Sequence, residues 1–208
     1  MTRQAGAGPC AAVSGEGEAA CQLGGNFVGG FVAAPEALYR RRHRALYDYW
    51  AERSRAAGCL PARGDIDPGA IPHLLGSIWM TDVVREDGAP RFRERLVGTG
   101  VVQLYGFETT GRWFEEIYEG RHLDRQLATY RAIVAAGRPH LSRLGVPHRE
   151  REFLVYDRLI LPLATDGRTP DILLGIHAYK PEPGEDPDTW PEPDVAYDVL
   201  SERPFKRA

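Results

Sequence analysis

The side chains in this sequence with chemistry to offer are few, and their spacing is more telling than their number. It holds six histidines, yet His140 and His148 flank a strand-like segment and no two histidines stand at the His-x-x-x-His spacing of a helical metal pair. His122 falls between Arg121 and Leu123 at the start of a helix and is read as an exposed helix-start residue. His177 shares one strand face with Leu173, Gly175 and Tyr179 and is read as a satisfied core or interface histidine. Cys10, Cys21 and Cys59 are odd in number and lack metal spacing, so reduced thiols are expected rather than disulfides or a zinc site. The carboxylate pairs Glu115/Glu116 and Asp65/Asp67 sit too close in sequence to flank a bond, because near neighbours diverge into solvent. No serine occupies Gly-x-Ser-x-Gly, and neither His-Glu-x-x-His nor a phosphate-loop sequence appears. Lys180 and Lys206 are the sole lysines, which leaves little room for Schiff-base or lysine general-base chemistry. No catalytic residue is assigned, and a non-enzymatic protein is expected.

The elements that must carry these residues follow from punctuation and period. The chain has 208 residues, 26 basic and 29 acidic, for a net charge of -3. That length suits one well-buried domain with tails, and the charge balance provides no long-range attraction to nucleic acid or an anionic membrane. No apolar run reaches bilayer length and no signal-type core follows the amino terminus, so a cytoplasmic protein is expected. Residues 1–34 are rich in Gly and Ala and read as a disordered leader; the glycines from Gly24 to Gly30 lack the setting of a phosphate loop and read as linker. Residues 35–58 have a helical period with Leu38, Ala45, Leu46, Tyr49 and Trp50 on one face. Pro35 suits the first turn and Gly58 the cap. Arg40, Arg41 and Arg44 lie opposite and read as a solvated surface rather than a nucleic-acid patch.

The segment from Leu60 to Pro68 is dense in Pro, Gly and Asp and cannot be a helix interior; it reads as a rigid crossing from helix to sheet. Arg42 and Arg53 project near the apolar face, where an ion pair with Asp65 or Asp67 is expected. Strands are expected over 77–84 and 91–99 around an Asp-Gly turn, and over 140–146, 151–163 and 171–179. Short helical turns lie between Gly100 and Gly111. A helix covers 123–136, with Leu123, Leu127, Tyr130, Ile133 and Val134 inward. The last two strands are apolar on both parities, so both sheet faces should be covered: one by the small helices, the other by the 35–58 helix or a second subunit. Residues 181–208 form an acidic, Pro-rich tail.

This order and punctuation resemble the PAS domain, in a bacterial subfamily of standalone proteins of unassigned function. The likeness rests on Tyr49-Trp50, on Pro61-Ala62-Arg63-Gly64-Asp65-Ile66-Asp67-Pro68 with Ile71-Pro72 and Leu74-Leu75, and on Arg95-Leu96-Val97-Gly98-Thr99. Gly106, Thr110-Gly111, Gly137-Arg138-Pro139 and Arg158-Leu159-Ile160-Leu161-Pro162-Leu163 with Asp166-Gly167 complete it, from about Leu46 to Ala178. Trp50, Arg63, Asp65, Gly98, Thr99, Gly111, Arg158 and Pro162 serve as its structural signature. The resemblance implies an α+β fold, a five-stranded antiparallel sheet with a helical bracket and an N-terminal amphipathic helix, making one domain over 35–180.

It also implies a sensory or adaptor role, with a pocket whose candidate lining is Val101, Tyr105, Trp113, Phe114, Tyr130 and His177. A sensor kinase or other regulatory protein is the implied partner, with a homodimer as the resting form; no nucleic-acid or membrane partner is expected. The flavin–cysteine adduct of light-sensing relatives needs a cysteine on the helical side, and none follows Cys59, so that photochemistry is excluded. The alternative is a redox or gas sensor carrying haem or another cofactor, with His122 or His177 as axial imidazole.

Overall fold

The computed structural model describes residues 28–32, 38, 40–86, 88–148 and 151–178. Its elements in chain order are β1 (Val28–Phe31), α1 (Arg41–Ala57), three short 3-10 turns between Arg63 and Ser77, β2 (Ile78–Val84), β3 (Arg91–Val97), α2 (Thr99–Tyr105), α3 (Phe114–Ile117), α4 (Gly120–Ala136), β4 (His140–His148), β5 (Arg151–Leu163) and β6 (Ile172–Ala178). The strands form one antiparallel sheet in the order β1-β4-β5-β6-β2-β3.

The sheet has six strands, where five were expected. The additional strand, β1, lies inside the stretch read as a disordered leader. Its residues pair with β4 from Val28↔Arg143 to Phe31↔His140, and Val32 N–H donates to Pro139 O at 2.9 Å. The ladder draws on backbone groups alone, so the glycine-rich composition that argued for linker does not prevent it; without β1 the edge of β4 would stand unpaired. Residues 1–27 and 179–208, including the acidic tail, lie outside the described residues.

Strand alternation divides the side chains into two layers. On the outer face, Ile78 and Met80 of β2, Leu159, Leu161 and Leu163 of β5, and Ile172, Leu174 and Ile176 of β6 pack with Leu46 and Trp50 of α1. On the inner face, Trp79, Val83, Phe92, Ile160 and Leu173 pack with Val101, Phe114, Ile117, Tyr130 and Ile133 from α2, α3 and α4. Both faces are covered, as the double-parity strands imply, and α1 of the same chain covers the outer one.

The ends of α1 follow its sequence unevenly. Gly58 adopts a left-handed φ of 68° and closes the helix, a conformation that favours glycine. The start is Arg41, with Arg40 extended at φ -84° and ψ 130°; residues 33–37, which hold Pro35, are outside the described part. Because Arg40 is not helical, its side chain escapes the solvated face and is 2% exposed. There it meets Asp157 at 3.4 Å, while Arg143 grips the same carboxylate at 2.6 and 2.9 Å. A buried carboxylate shared by two guanidinium groups replaces the expected solvated patch at this residue.

The crossing also differs from expectation. Asp65 accepts from Ala62 N–H and Asp67 from Gly69 N–H, each at 2.8 Å, so both carboxylates cap their own tight turns. Arg42 donates to Ser77 Oγ at 2.6 Å and Arg53 to Glu52 at 2.8 Å, and the anticipated ion pairs do not form. Arg63 donates to Ile66 O at 3.0 Å. Tyr49 Oη accepts from Asp67 N–H at 2.8 Å, and Trp50 Nε1–H donates to Pro162 O at 2.9 Å. Adjacent aromatic residues thus tie α1 to the crossing and to β5. Gly98 meets the same crossing from the other side: a Cβ there would stand 2.5 Å from Leu75 O and 2.7 Å from the carbonyls of Gly76 and Ile78. Among the described residues no helix is long and apolar enough to cross a membrane.

Candidate functional site

The inner face of the sheet carries a band of polar side chains inside an otherwise apolar layer. Alternation brings Trp79 and Thr81 of β2, Glu94 of β3, His140 and Ser142 of β4, Tyr156 and Arg158 of β5, and His177 of β6 to this side. Register aligns three of them in one row, because Ser142 faces Arg158 across β4–β5 and Arg158 faces His177 across β5–β6. Helix α4 covers the row with His122, Gln126, Thr129 and Tyr130, all buried. The expected apolar inward set of α4 is therefore rotated: Tyr130 and Ile133 are fully inside, while Leu123, Leu127 and Val134 pack at the margin.

Arg158 is the centre of the band. It is 2% exposed, donates from Nη1 to Gln126 Oε1 at 2.6 Å and from Nε to Ser142 Oγ at 3.3 Å, and has its Cζ 5.4 Å from the Tyr130 ring centroid. All three contacts are to uncharged groups. Glu94 is a candidate for charge compensation on the same face, but burial pushes its carboxyl up to about 8, outweighing the Thr81 hydrogen bond and the attraction of Arg158. It is uncharged at neutral pH, and Thr81 Oγ1 lies 3.2 Å from its Oε2.

His177 is fixed by an unusual approach. The Trp79 indole lies over Gly175, where a Cβ would come within 2.0 Å of Cζ2, and its Nε1–H donates to His177 Nε2 at 3.0 Å. A neutral imidazole that accepts at Nε2 carries its proton on Nδ1. That nitrogen is buried without a hydrogen-bond partner. Burial, then the positive charge of Arg158, holds His177 well below the usual imidazole range, and His122 and His140 are held down to about 3 for the same leading reason. Tyr156 and Tyr105 flank the His177 ring at 4.7 and 6.1 Å between centroids. The Tyr105 hydroxyl interacts with those of Tyr118 and Tyr156, and burial raises all three phenols.

The candidate lining residues are thus partly gathered. Val101, Phe114, Tyr130 and His177 are buried on the inner face and Tyr105 is half-buried at its edge. Trp113 is not with them: it stands half-buried beside β3, with Arg91 and Arg93 over its ring at 4.2 and 5.5 Å. Of the signature residues, Trp50, Arg63, Asp65, Gly98 and Pro162 belong to the crossing and the α1 dock. Thr99 opens α2, and Gly111 turns at φ 84°. Arg158 instead faces the band. Trp79, Thr81, Glu94, Gln126, Thr129, Ser142 and Tyr156 are members that sequence reading passed over; the parity of Phe92 with Glu94, and of Tyr156, Arg158 and Ile160, was the available signal.

His122 was expected at an exposed position and is 3% exposed: its Nε2 lies 3.0 Å from Gln126 Nε2, and Tyr118 is 5.0 Å away between ring centroids. Haem ligation through Nε2 of His122 or His177 would have to break the contact with Gln126 or Trp79, so neither imidazole fits an axial role as placed. Among the described residues no group of three His, Cys, Asp or Glu side chains is set to hold a metal ion. Cys59 packs against the Gly167 turn at the end of α1, away from the helical bracket.

A PAS domain family model matches residues 39–178, and the chain belongs to the PAS domain family. No curated protein matches the chain. Solved structures similar to it include an RNA-binding light-oxygen-voltage receptor, at 16% identity and TM-score 0.39 over 57% of this chain and 36% of that one. This chain therefore spans about a third of that receptor. The light state of the Aureochrome1 light-oxygen-voltage domain aligns at 14% identity and TM-score 0.38, over 54% of this chain and 88% of that one. A fungal light-oxygen-voltage photoreceptor aligns at 16% identity and TM-score 0.38, over 57% and 94%.

Proposed function

We propose that this PAS domain is a non-catalytic sensory or adaptor module of bacterial signal transduction, which takes a small ligand against its inner sheet face and passes occupancy to a regulatory protein. The observation that supports this reading is Arg158, a guanidinium buried among neutral groups. A charge desolvated without a counter-charge costs stability, and a fold built for stability alone has no use for it there. A ligand that reaches Arg158 stabilises the closed arrangement of α2 and α4 over the sheet, and the resulting shift in population is the signal. The partner is a sensor kinase or another regulator, and the working form is a cytoplasmic homodimer with no nucleic-acid or membrane partner.

The reading is tested on the purified full chain. Mass spectrometry of small molecules released on denaturation, with sedimentation equilibrium over a concentration series, is expected to find a stoichiometric ligand and a monomer–dimer equilibrium. A strict monomer that releases nothing and retains no protein in pull-downs contradicts it.

A further inference from the structure

This inference deepens the reading above and rests on it. Arg158 and His177 are register partners on adjacent strands, and opposite residues on one sheet face lie close enough to share a ligand. Each has a donor left over. Arg158 uses Nη1 on Gln126 and Nε on Ser142; among the described residues Nη2 has no acceptor and the guanidinium no carboxylate at ion-pair distance. His177 uses Nε2 on Trp79, and its Nδ1 is unpartnered at 1% residue exposure. A buried donor such as His177 Nδ1 is rare in folded proteins because it forfeits its hydrogen bond with water. Next to the Arg158 guanidinium, it describes a missing acceptor.

We infer that the inner face binds a small organic monocarboxylate, whose oxygens take the Arg158 Nη2 and His177 Nδ1 protons and whose apolar body lies among Tyr105, Tyr130 and Tyr156. The planar guanidinium matches a carboxylate in geometry and charge. The charge balance selects the monoanion. With Glu94 protonated and His122, His140 and His177 neutral, Arg158 carries the one formal charge among the described side chains of the polar band at neutral pH. A carboxylate brings the sum to zero, whereas a phosphate ester dianion leaves a buried negative charge and a neutral ligand leaves the positive one. Tyr105, half-buried and beside His177, is the member of the cluster nearest the surface.

Titration calorimetry of the full chain with phenylacetate, hexanoate, phenylacetamide and phenyl phosphate tests this. At least one carboxylate is expected to bind, with phenylacetate at least about 30-fold tighter than its neutral amide, as a buried charged pair requires. Arg158→Gln, checked for folding by circular dichroism, is expected to remove that preference; the acid–amide comparison on the unmodified protein does not depend on the variant folding. Equal affinity for acid and amide, preference for phenyl phosphate, or undiminished binding by folded Arg158→Gln overturns the inference. Should no probe bind, native mass spectrometry decides. A carboxylate carried through purification supports the inference, a neutral or cationic molecule or an empty chain overturns it, and the sensory or adaptor reading falls with it only if the empty chain is also a strict monomer that retains no protein in pull-downs.

Discussion

Trp79 and His177 are joined across β2 and β6 by a 3.0 Å hydrogen bond from indole Nε1–H to imidazole Nε2. The bond exists because Gly175, between them in the sheet, has no side chain to lift the indole away. It sets the histidine tautomer, and the tautomer directs an unpartnered N–H into the polar band beside Arg158. One glycine thereby links sheet packing to the chemistry of the candidate site.

Gly175→Ala is expected to displace the indole, since its Cβ would lie 2.0 Å from Trp79 Cζ2. Overpacking of this kind costs about 1–3 kcal/mol, readable as a lower urea midpoint. The Trp79 indole proton should also shift in the NMR spectrum, and an unmoved signal would show that the indole does not depend on the glycine.

Gly98→Ala faces a harder obstacle because all three near atoms are backbone carbonyl oxygens, at 2.5 to 2.7 Å from the new methyl. A loss of about 3 kcal/mol in chemical denaturation is expected. Trp50→Phe keeps the ring but loses the bond to Pro162 O, and about 1–2 kcal/mol should go with it. Wild-type midpoints in either variant would mean that the crossing does not dock α1 and α2 as described.

Asp157→Asn removes the negative charge shared by Arg40 and Arg143 at 2% and 6% exposure. Breaking a buried charge pair at one partner costs about 3–5 kcal/mol. Thermal unfolding should fall accordingly, and a change below about 1 kcal/mol would place the arginines in water.

The polar band also sets a pH optimum for stability. Burial raises Glu94 from 4.5 to about 8, so between these values the folded chain holds a proton that the unfolded chain releases, and stability falls as pH rises. The full effect is up to about 5 kcal/mol. His122 and His140 run the other way: lowered from 6.5 to about 3, they stay neutral in the fold while the unfolded chain takes up protons, and stability falls as pH drops below 6.5. Unfolding free energies across pH 5 to 9 should therefore peak near pH 6.5. Glu94→Gln should flatten the alkaline side alone, and an unchanged alkaline slope in that variant assigns the slope to other groups.

Much of this architecture is legible in the sequence because period and punctuation act locally. The β2–β3 hairpin follows from its Asp-Gly turn, the end of α1 from Gly58, and the two covered sheet faces from the double parity of β5 and β6. β1 is illegible because an edge strand of four residues needs only backbone groups, which carry no sequence signal. Arg40 misleads because one residue before a helix leaves the helical wheel. The site itself is half legible. Val101, Phe114 and Tyr130 announce themselves as apolar or aromatic, but polar residues at inward positions read as surface until the sheet and α4 are brought together. Only then do Glu94, Gln126 and Arg158 appear as one buried set.

Contact of a ligand with Arg158 and His177 on the inner face can be read by nitrogen-15 NMR of the full chain with phenylacetate. Before addition, the His177 ring should show a protonated Nδ1 and an accepting Nε2, and the Trp79 indole proton can be identified by its loss in Trp79→Phe. On saturation the His177 Nδ1 and Arg158 side-chain signals are expected to move together while Trp79 keeps its bond. Unchanged His177 and Arg158 signals at saturating phenylacetate, or shifts confined to the exposed β3 edge around Trp113, would contradict it.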